Sequence, residues 1–161
     1  MVLFINNQLE QGISINIERC TAASERRKPM KRHLISEWSV GEHSGQLAIV
    51  GHSEGDLQIA LEVANQSGQG TILFLWDESD VLVQGVTEVL ITKHGELKDE
   101  LIIGIAISRM GSIVFGWSPF EDNDCALMFS QGEEKILIAE THAVEFFRWL
   151  RRSLQLIGRI V

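Results

Sequence analysis

The chain has 161 residues, of which 45% are hydrophobic and 22% are charged. This size and composition are typical of a globular domain and exclude wholesale disorder. The longest apolar run, residues 101–107, is far shorter than the roughly 20 residues that a membrane-spanning helix needs, and the pattern of a signal peptide is absent. We therefore expect a single cytoplasmic domain over residues 1–161, without membrane association.

The net charge of −8 is distributed unevenly along the chain. Residues 41–140 hold seventeen acidic and four basic side chains, whereas residues 1–40 and 141–161 each carry a small positive excess. The negatively charged body formed by residues 41–140 is expected to repel nucleic acid and anionic membranes. It is expected to attract basic proteins and to speed their encounter with the chain. The sequence therefore favours a basic protein partner for the body and disfavours nucleic acid.

The first part of the chain is predicted to contain two strands and a long loop. The strands lie near Val2–Asn6 and Ile13–Glu18, and residues 19–33 then form a basic, mobile loop without periodicity. Residues 26–32 include five basic side chains. Aromatic residues are not interleaved with them, so the segment lacks a stacking platform for single-stranded nucleic acid and is interpreted as a solvated loop.

From residue 33 onward, short apolar stretches alternate with turn residues, which is typical of an all-β domain. Almost all connections are short, so neighbouring strands should be antiparallel, and the crossovers of parallel βαβ units are excluded. The predicted strands are His33–Val40, Gln46–Val50, Leu57–Ala64, Gly70–Trp76, Val81–Gly85, Glu88–Lys93, Glu100–Ser108, Ser112–Trp117, Ala126–Ser130 and Lys135–Ala139.

The C-terminal residues change to a helical period. Apolar residues recur at spacings of three and four from Val144 to Val161, with Thr141 as a candidate N-cap. The predicted fold is therefore α+β and mainly antiparallel β: a curved sheet, half-barrel or β-sandwich capped by one C-terminal amphipathic helix. In outline it is similar to superfolds with a terminal helix such as pleckstrin-homology-like domains, in which a tryptophan also lies in the last helix, as Trp149 does here.

Residues 51–55, Gly-His-Ser-Glu-Gly, have the G-x-S-x-G form of a nucleophile elbow and resemble that of the α/β-hydrolase family. The resemblance implies a compact serine hydrolase with Ser53, Asp77 and His142 as its catalytic residues. The residues after Ser53, however, alternate apolar and polar or small side chains with a period of two, which predicts a strand where the elbow needs a helix. We therefore interpret the segment as the exposed tip of a hairpin over residues 46–64 and predict no catalytic residue.

No cofactor or metal site is predicted. Cys20 and Cys125 are the only cysteines, and we interpret them as structural thiols in a reducing compartment. The five histidines are scattered singly, without the paired spacing that presents two metal ligands on one face. The acidic run Asp122-Asn123-Asp124 is not followed by the glycine and glutamate of an EF-hand loop.

These features favour a non-catalytic protein-binding module whose acidic β body engages a basic partner, as an inhibitor or a toxin-neutralising immunity protein does. The alternatives are a small apolar ligand carrier with a β-lined cavity and the compact serine hydrolase described above. The C-terminal helix is also a candidate homodimer interface. The acidic candidates for partner binding lie in or near predicted turns: Glu54, Asp56, Asp77, Glu78, Asp80, Glu121, Asp122 and Asp124.

Overall fold

The computed structural model describes residues 32–53 and 55–160. These residues form two similar halves, each a four-stranded antiparallel meander followed by a helix. The first half contains β1 (His33–Val40), β2 (His43–Ser53), β3 (Asp56–Asn65), β4 (Gly68–Leu75) and α1 (Ser79–Ile91). The second half contains β5 (Leu101–Ala106), β6 (Ile113–Pro119), β7 (Cys125–Gln131), β8 (Glu134–Ala139) and α2 (Glu140–Ile160).

The predicted fold class is confirmed. The fold is α+β and mainly antiparallel β, it has the C-terminal helix, and the described strands form no closed barrel. Lys135 on one edge strand of the second sheet forms an ion pair with Glu100, which immediately precedes the opposite edge strand, so the sheet curves enough to bring its two edges within side-chain reach.

The structure corrects the prediction for residues 81–93. The sequence predicts two strands, Val81–Gly85 and Glu88–Lys93, but the structure has α1 there. Leu82, Val86 and Val89 are buried on one face of this helix, at the spacings of four and three that a helix requires. The β-branched residues that suggest strands are overridden by tertiary packing, which decides between the two structures.

The N-terminal predictions fall largely on residues that the structure does not describe. The strands Val2–Asn6 and Ile13–Glu18 lie outside the described residues, as do residues 19–31 of the predicted loop. At the end of that predicted loop, Arg32 is 8% exposed, and His33 begins β1, whose bounds are those of the predicted strand His33–Val40.

α2 closes the core with its apolar face, as its period predicts. Its buried side chains include Phe146, Leu150 and Ile157. Trp149 stacks on Trp38 of β1 with ring centroids 6.1 Å apart, and its indole N–H donates to a serine hydroxyl of the same strand. Much of the apolar face of α2 is thus covered within the chain, while Val144 and Leu156 of the same helix remain exposed. Neither described helix is both long enough and apolar enough to cross a membrane.

The two sheets meet along β4 and β8 without a backbone ladder between them. In place of hydrogen bonds from a neighbouring strand, the side-chain amide of Gln131 pairs with the backbone of Leu73. Its oxygen accepts a hydrogen bond from the Leu73 N–H and its nitrogen donates to the Leu73 carbonyl, both at 2.8 Å. The Glu134 carboxylate accepts from the Thr71 N–H at 2.8 Å. Side chains of the second sheet therefore satisfy the backbone groups at the edge of β4, which would otherwise be left unpaired.

Gly70→Ala is expected to destabilise this junction. A Cβ at Gly70 would lie 2.2 Å from the backbone oxygen of Lys135, and backbone cannot move aside as a flexible side chain can. We expect the free energy of unfolding to fall by about 2 kcal/mol or more, measured by urea denaturation. Gly104→Ala is the matched control, since a Cβ there meets no atom within 4 Å. Equal effects of the two substitutions would contradict the tight junction.

Candidate functional site

The loops gather at two opposite ends of the strands. One of them, here called the tip end, contains residues 53, 55 and 56, residues 76–78 and residues 107–112. The Asp77 backbone N–H donates to the Asp56 carboxylate at 2.9 Å, which joins the first two loops. Ser53 lies here, paired with Asp56 across the β2–β3 turn. A strand follows Ser53, so the predicted hairpin is confirmed and the strand-turn-helix context of an elbow is absent at this position.

The three residues of the serine hydrolase alternative are not brought together. Ser53 and Asp77 lie at the tip end, whereas the His142 ring lies 5.6 Å from the ring of His43 at the other end. His43 is the first residue of β2 and Ser53 is the last, so about 30 Å of strand separates them at ~3.3 Å per residue. A nucleophile and its base must lie within hydrogen-bond reach. This structure therefore assembles no such pair from Ser53 and His142.

Glu78 at the tip end is occupied by the protein's own donors. Its carboxylate accepts hydrogen bonds from the Leu75 N–H at 2.9 Å, the Ser108 hydroxyl at 2.7 Å and the Arg109 N–H at 2.9 Å. Burial by itself raises the pKa of Glu78, but these hydrogen bonds outweigh it and hold the pKa below its usual value. The Arg109 guanidinium pairs with both Glu78 and Asp77, so much of the negative charge here is neutralised internally.

The opposite end, here called the acidic end, contains the β1–β2 turn, the β3–β4 turn and the β6–β7 loop. Glu42, Glu121, Asp122 and Asp124 are all exposed there. The Ser67 hydroxyl donates to Glu121 at 3.2 Å, which joins two of these loops. The ion pairs found among the described residues involve none of these four carboxylates. Among the described residues, the negative charge of the acidic end is therefore not paired with a basic side chain.

The predicted acidic candidates consequently do not form one surface. Glu54 lies outside the described residues. Asp56, Asp77, Glu78 and Asp80 belong to the tip end or to the adjoining first turn of α1, whereas Glu121, Asp122 and Asp124 belong to the acidic end. Among the described ion pairs, Arg109 pairs with Asp77 and Glu78 of the first group, whereas no residue of the second group has an arginine partner.

A buried histidine ties the two sheets together at the acidic end. His43 is 5% exposed, and its Nε2 accepts a hydrogen bond from the Ala139 N–H at 3.2 Å. Burial, and to a lesser degree the neighbouring His142, lowers the pKa of His43. The ring is therefore neutral at pH 7, which leaves Nε2 free to accept from β8.

A polar groove of about 420 Å³ crosses the outer face of the first sheet toward the acidic end. Rows of residues that lie directly opposite one another on neighbouring strands line the groove, because such residues share a face of the sheet. One row across the four strands is Glu37, Gln46, Glu62 and Thr71, and the next row, nearer the acidic end, is Ser39, Ser44, Ala64 and Gln69.

Arg32 is held by two residues that line this groove. Its guanidinium forms a two-pronged ion pair with Glu62, with Nη1–Oε2 at 3.0 Å and Nη2–Oε1 at 2.9 Å, and it also contacts the Gln46 amide oxygen. The Gln46 amide in turn donates to the Glu37 carboxylate at 3.2 Å. Two parallel N–H···O bonds are the geometry that distinguishes arginine from lysine. The groove is thus built to hold a guanidinium, and the exposed Glu37 remains beside it.

A second cluster lies at the entrance to α2. His94 Nε2 is 3.0 Å from the Glu140 carboxylate, and His94 Nδ1 is 2.7 Å from the Gly95 carbonyl and 3.6 Å from the Cys125 sulfur. The Gly95 carbonyl and then Glu140 raise the pKa of His94, and burial raises the pKa of the Cys125 thiol. The three residues are far apart in sequence, so spacing alone does not reveal the cluster.

No family model matches this chain, and the comparison with curated proteins gives no match. The arrangement of charge and side chains is therefore what bears on function. Apolar residues of both sheets are buried in the core, and Phe146 of α2 joins them. The rings of Phe115, Phe129 and Phe146 are buried and pack edge to face, with centroids 5.6 and 5.9 Å apart.

Glu78→Gln is expected to lower stability in a pH-dependent way. A carboxylate whose pKa is lowered on folding stabilises the folded state above the ordinary Glu pKa of about 4.3, and this contribution is lost as the pH falls below it. We expect the substitution to cost about 1–3 kcal/mol at pH 7. The difference from wild type should shrink at a pH of about 3.

Urea denaturation at the two pH values measures this difference. Glu88→Gln on the exposed face of α1 is the control and should have little effect at either pH. A deficit for Glu78→Gln that is independent of pH would show that the carboxylate charge is not what stabilises the loop.

Proposed function

We propose that this chain is a non-catalytic protein-binding module that engages an arginine-rich segment of a basic protein through the groove and the acidic end. The observation that carries the proposal is the two-pronged pair of Arg32 with Glu62 in the groove. The same acceptors suit an arginine from another protein, because their spacing is set by strand register and does not depend on which chain supplies the guanidinium.

Electrostatics support the same surface. Glu37 and Glu42 continue the negative charge from the groove to the acidic end, where Glu121 and its loop add further carboxylates. Like charges held close together on a rigid scaffold raise the local potential, and this field attracts a basic partner and speeds its encounter. At the tip end, in contrast, Arg109 reduces the field.

An inhibitor or a toxin-neutralising immunity protein is the form of this function that we favour. Such a protein has to find a basic enzyme quickly and cover it, which long-range attraction assists. A cytoplasmic location is part of the proposal, and the free, buried thiol of Cys125 is compatible with it. In this role the chain itself carries out no chemistry.

The proposal predicts that charge at the acidic end, more than total charge, controls binding to an arginine-rich peptide. The triple variant Glu42→Gln/Glu121→Gln/Asp124→Asn should weaken binding at least ~10-fold at low salt, because it removes the attracting field next to the groove. Isothermal titration calorimetry with an arginine-rich peptide and a lysine-rich peptide of equal charge measures this affinity. The lysine peptide should bind more weakly, since it cannot form the two-pronged pair.

The matched control removes three negative charges elsewhere. Asp80→Asn/Glu88→Gln/Glu133→Gln changes exposed residues of α1 and of the β7–β8 turn, and it should retain most of the affinity. Equal losses in the two triple variants would mean that only net charge matters. Absence of binding to the arginine peptide by the wild-type protein would refute the proposed surface.

The inhibitor role has a separate test. A partner identified by co-purification from the native host should lose its own activity when the wild-type chain is added to it. The same partner should keep its activity when the acidic-end triple variant is added instead. If the chain binds the partner but does not change its activity, the inhibitor role is refuted and only the role of a binding module remains.

A further inference from the structure

We propose that His94, Cys125 and Glu140 form a binding site for a zinc-class divalent cation. The three side chains belong to separate elements: the loop after α1, the first residue of β7 and the first residue of α2. One possible ligand atom from each residue lies within 4.8 Å of the other two. The fold therefore gathers a nitrogen, a sulfur and an oxygen donor at one point.

The donor set indicates the class of cation. Imidazole nitrogen, thiolate sulfur and carboxylate oxygen are the three donor types that Zn²⁺ uses in proteins. Calcium and magnesium bind oxygen ligands almost exclusively, so the sulfur selects against them. Three protein ligands also leave one position of a tetrahedral site for water or another small ligand. Binding displaces the thiol proton of Cys125 and the proton that His94 Nε2 holds toward Glu140, and both protons pass to the buffer.

The distances fit such a site after a small movement of the sulfur. His94 Nε2 and Glu140 Oε2 are 3.0 Å apart, close to the roughly 3.3 Å between two donors that each lie ~2.0 Å from a tetrahedral zinc. Zinc bonds of ~2.0 Å to nitrogen and ~2.3 Å to sulfur place those atoms about 3.5 Å apart. The Cys125 sulfur lies 3.6 Å from the other ring nitrogen, Nδ1, so it has to move toward Nε2 to complete the site.

The surroundings of His94 are those of a metal-binding histidine. Its Nδ1 lies 2.7 Å from the Gly95 carbonyl, and this hydrogen bond orients the ring and leaves Nε2 for the cation. The ring packs against Trp117 with centroids 4.6 Å apart. The Trp117 indole N–H donates to the Thr92 carbonyl at 3.2 Å, which fixes the chain just before His94. The ligand is thus held in place by contacts that do not use its metal-binding nitrogen.

A cavity beside the cluster provides access. Its volume is about 510 Å³, and His94, Trp117 and Glu140 contribute to its lining. The Glu140 side chain is 48% exposed, whereas that of His94 is 14% exposed. A hydrated cation can therefore meet the carboxylate first and then reach the nitrogen and the sulfur, with space left for a water ligand. None of its three ligands lines the groove, but Cys125 directly follows Asp124 of the acidic end, so the zinc titration is carried out without a peptide partner.

The test uses the full chain after treatment with a chelator. Titration with Zn²⁺ by calorimetry should give one cation per chain, and Co²⁺ in place of zinc should produce a thiolate-to-cobalt charge-transfer band. Cys125→Ser should abolish that band, whereas Cys20→Ser should retain it. Glu140→Gln should weaken zinc binding at least ~10-fold, while Glu145→Gln, an exposed position on the same helix, should leave it unchanged.

The alternative is that His94 and Glu140 form only an ion pair. In that case zinc does not bind at concentrations up to about 100 µM, or the cobalt band persists in Cys125→Ser, or Glu140→Gln and Glu145→Gln bind equally well. Each of these results overturns the proposal. Because Cys125 is buried, its substitution can disturb folding, and the exposed Glu140 and Glu145 pair tests the site without changing the core.

Discussion

The close contact between the β4 and β8 backbones is the constraint on which the joining of the two halves depends. At Gly70 the Lys135 carbonyl occupies the space of a Cβ, so the strands approach more closely than side chains on both would permit. Gln131 and Glu134 supply the hydrogen bonds that a neighbouring strand would have made. Two separate four-stranded sheets can therefore share an interior without an unpaired polar edge between them.

The helices reinforce this junction because each contacts strands of the other half. α1 follows the first sheet but packs on β5 and β6 of the second, and α2 follows the second sheet but contacts β1 of the first. Phe115 is pressed against α1 at Gly85, and Trp149 of α2 stacks on Trp38. Neither half can therefore bury its apolar residues alone, and the core forms only when both are in place.

Features of the fold that depend on local interactions could be predicted from the sequence, whereas a feature that depends on long-range contacts was predicted wrongly. Hairpins such as the one at Ser53 depend on alternation and on a local turn, where Gly55 has a φ of +82°, so the sequence reveals them. α1 depends on a contact with Phe115, thirty residues away, and its β-branched residues suggest strands. The buried set Leu82, Val86 and Val89 carries a helical period that would have identified it.

The acidic character of the surface was predictable from composition, but its placement was not. Which carboxylates remain available depends on long-range neighbours: Glu78 is taken up by Arg109, whereas Glu121 meets only a serine hydroxyl. The groove depends on strand register, which sets Glu62 opposite Gln46. The cluster of His94, Cys125 and Glu140 joins residues 31 and 46 positions apart, beyond any local motif.

The Arg32–Glu62 pair also sets a condition on any partner of the groove. A partner that offered a single arginine would exchange one ion pair for an equivalent one, with little net gain in free energy. A partner with several clustered basic side chains would gain additional contacts with Glu37 and with the carboxylates of the acidic end, which the protein's own arginine leaves available. The intramolecular pair therefore favours partners with dense positive charge over those with isolated basic residues, and this discrimination is a source of specificity.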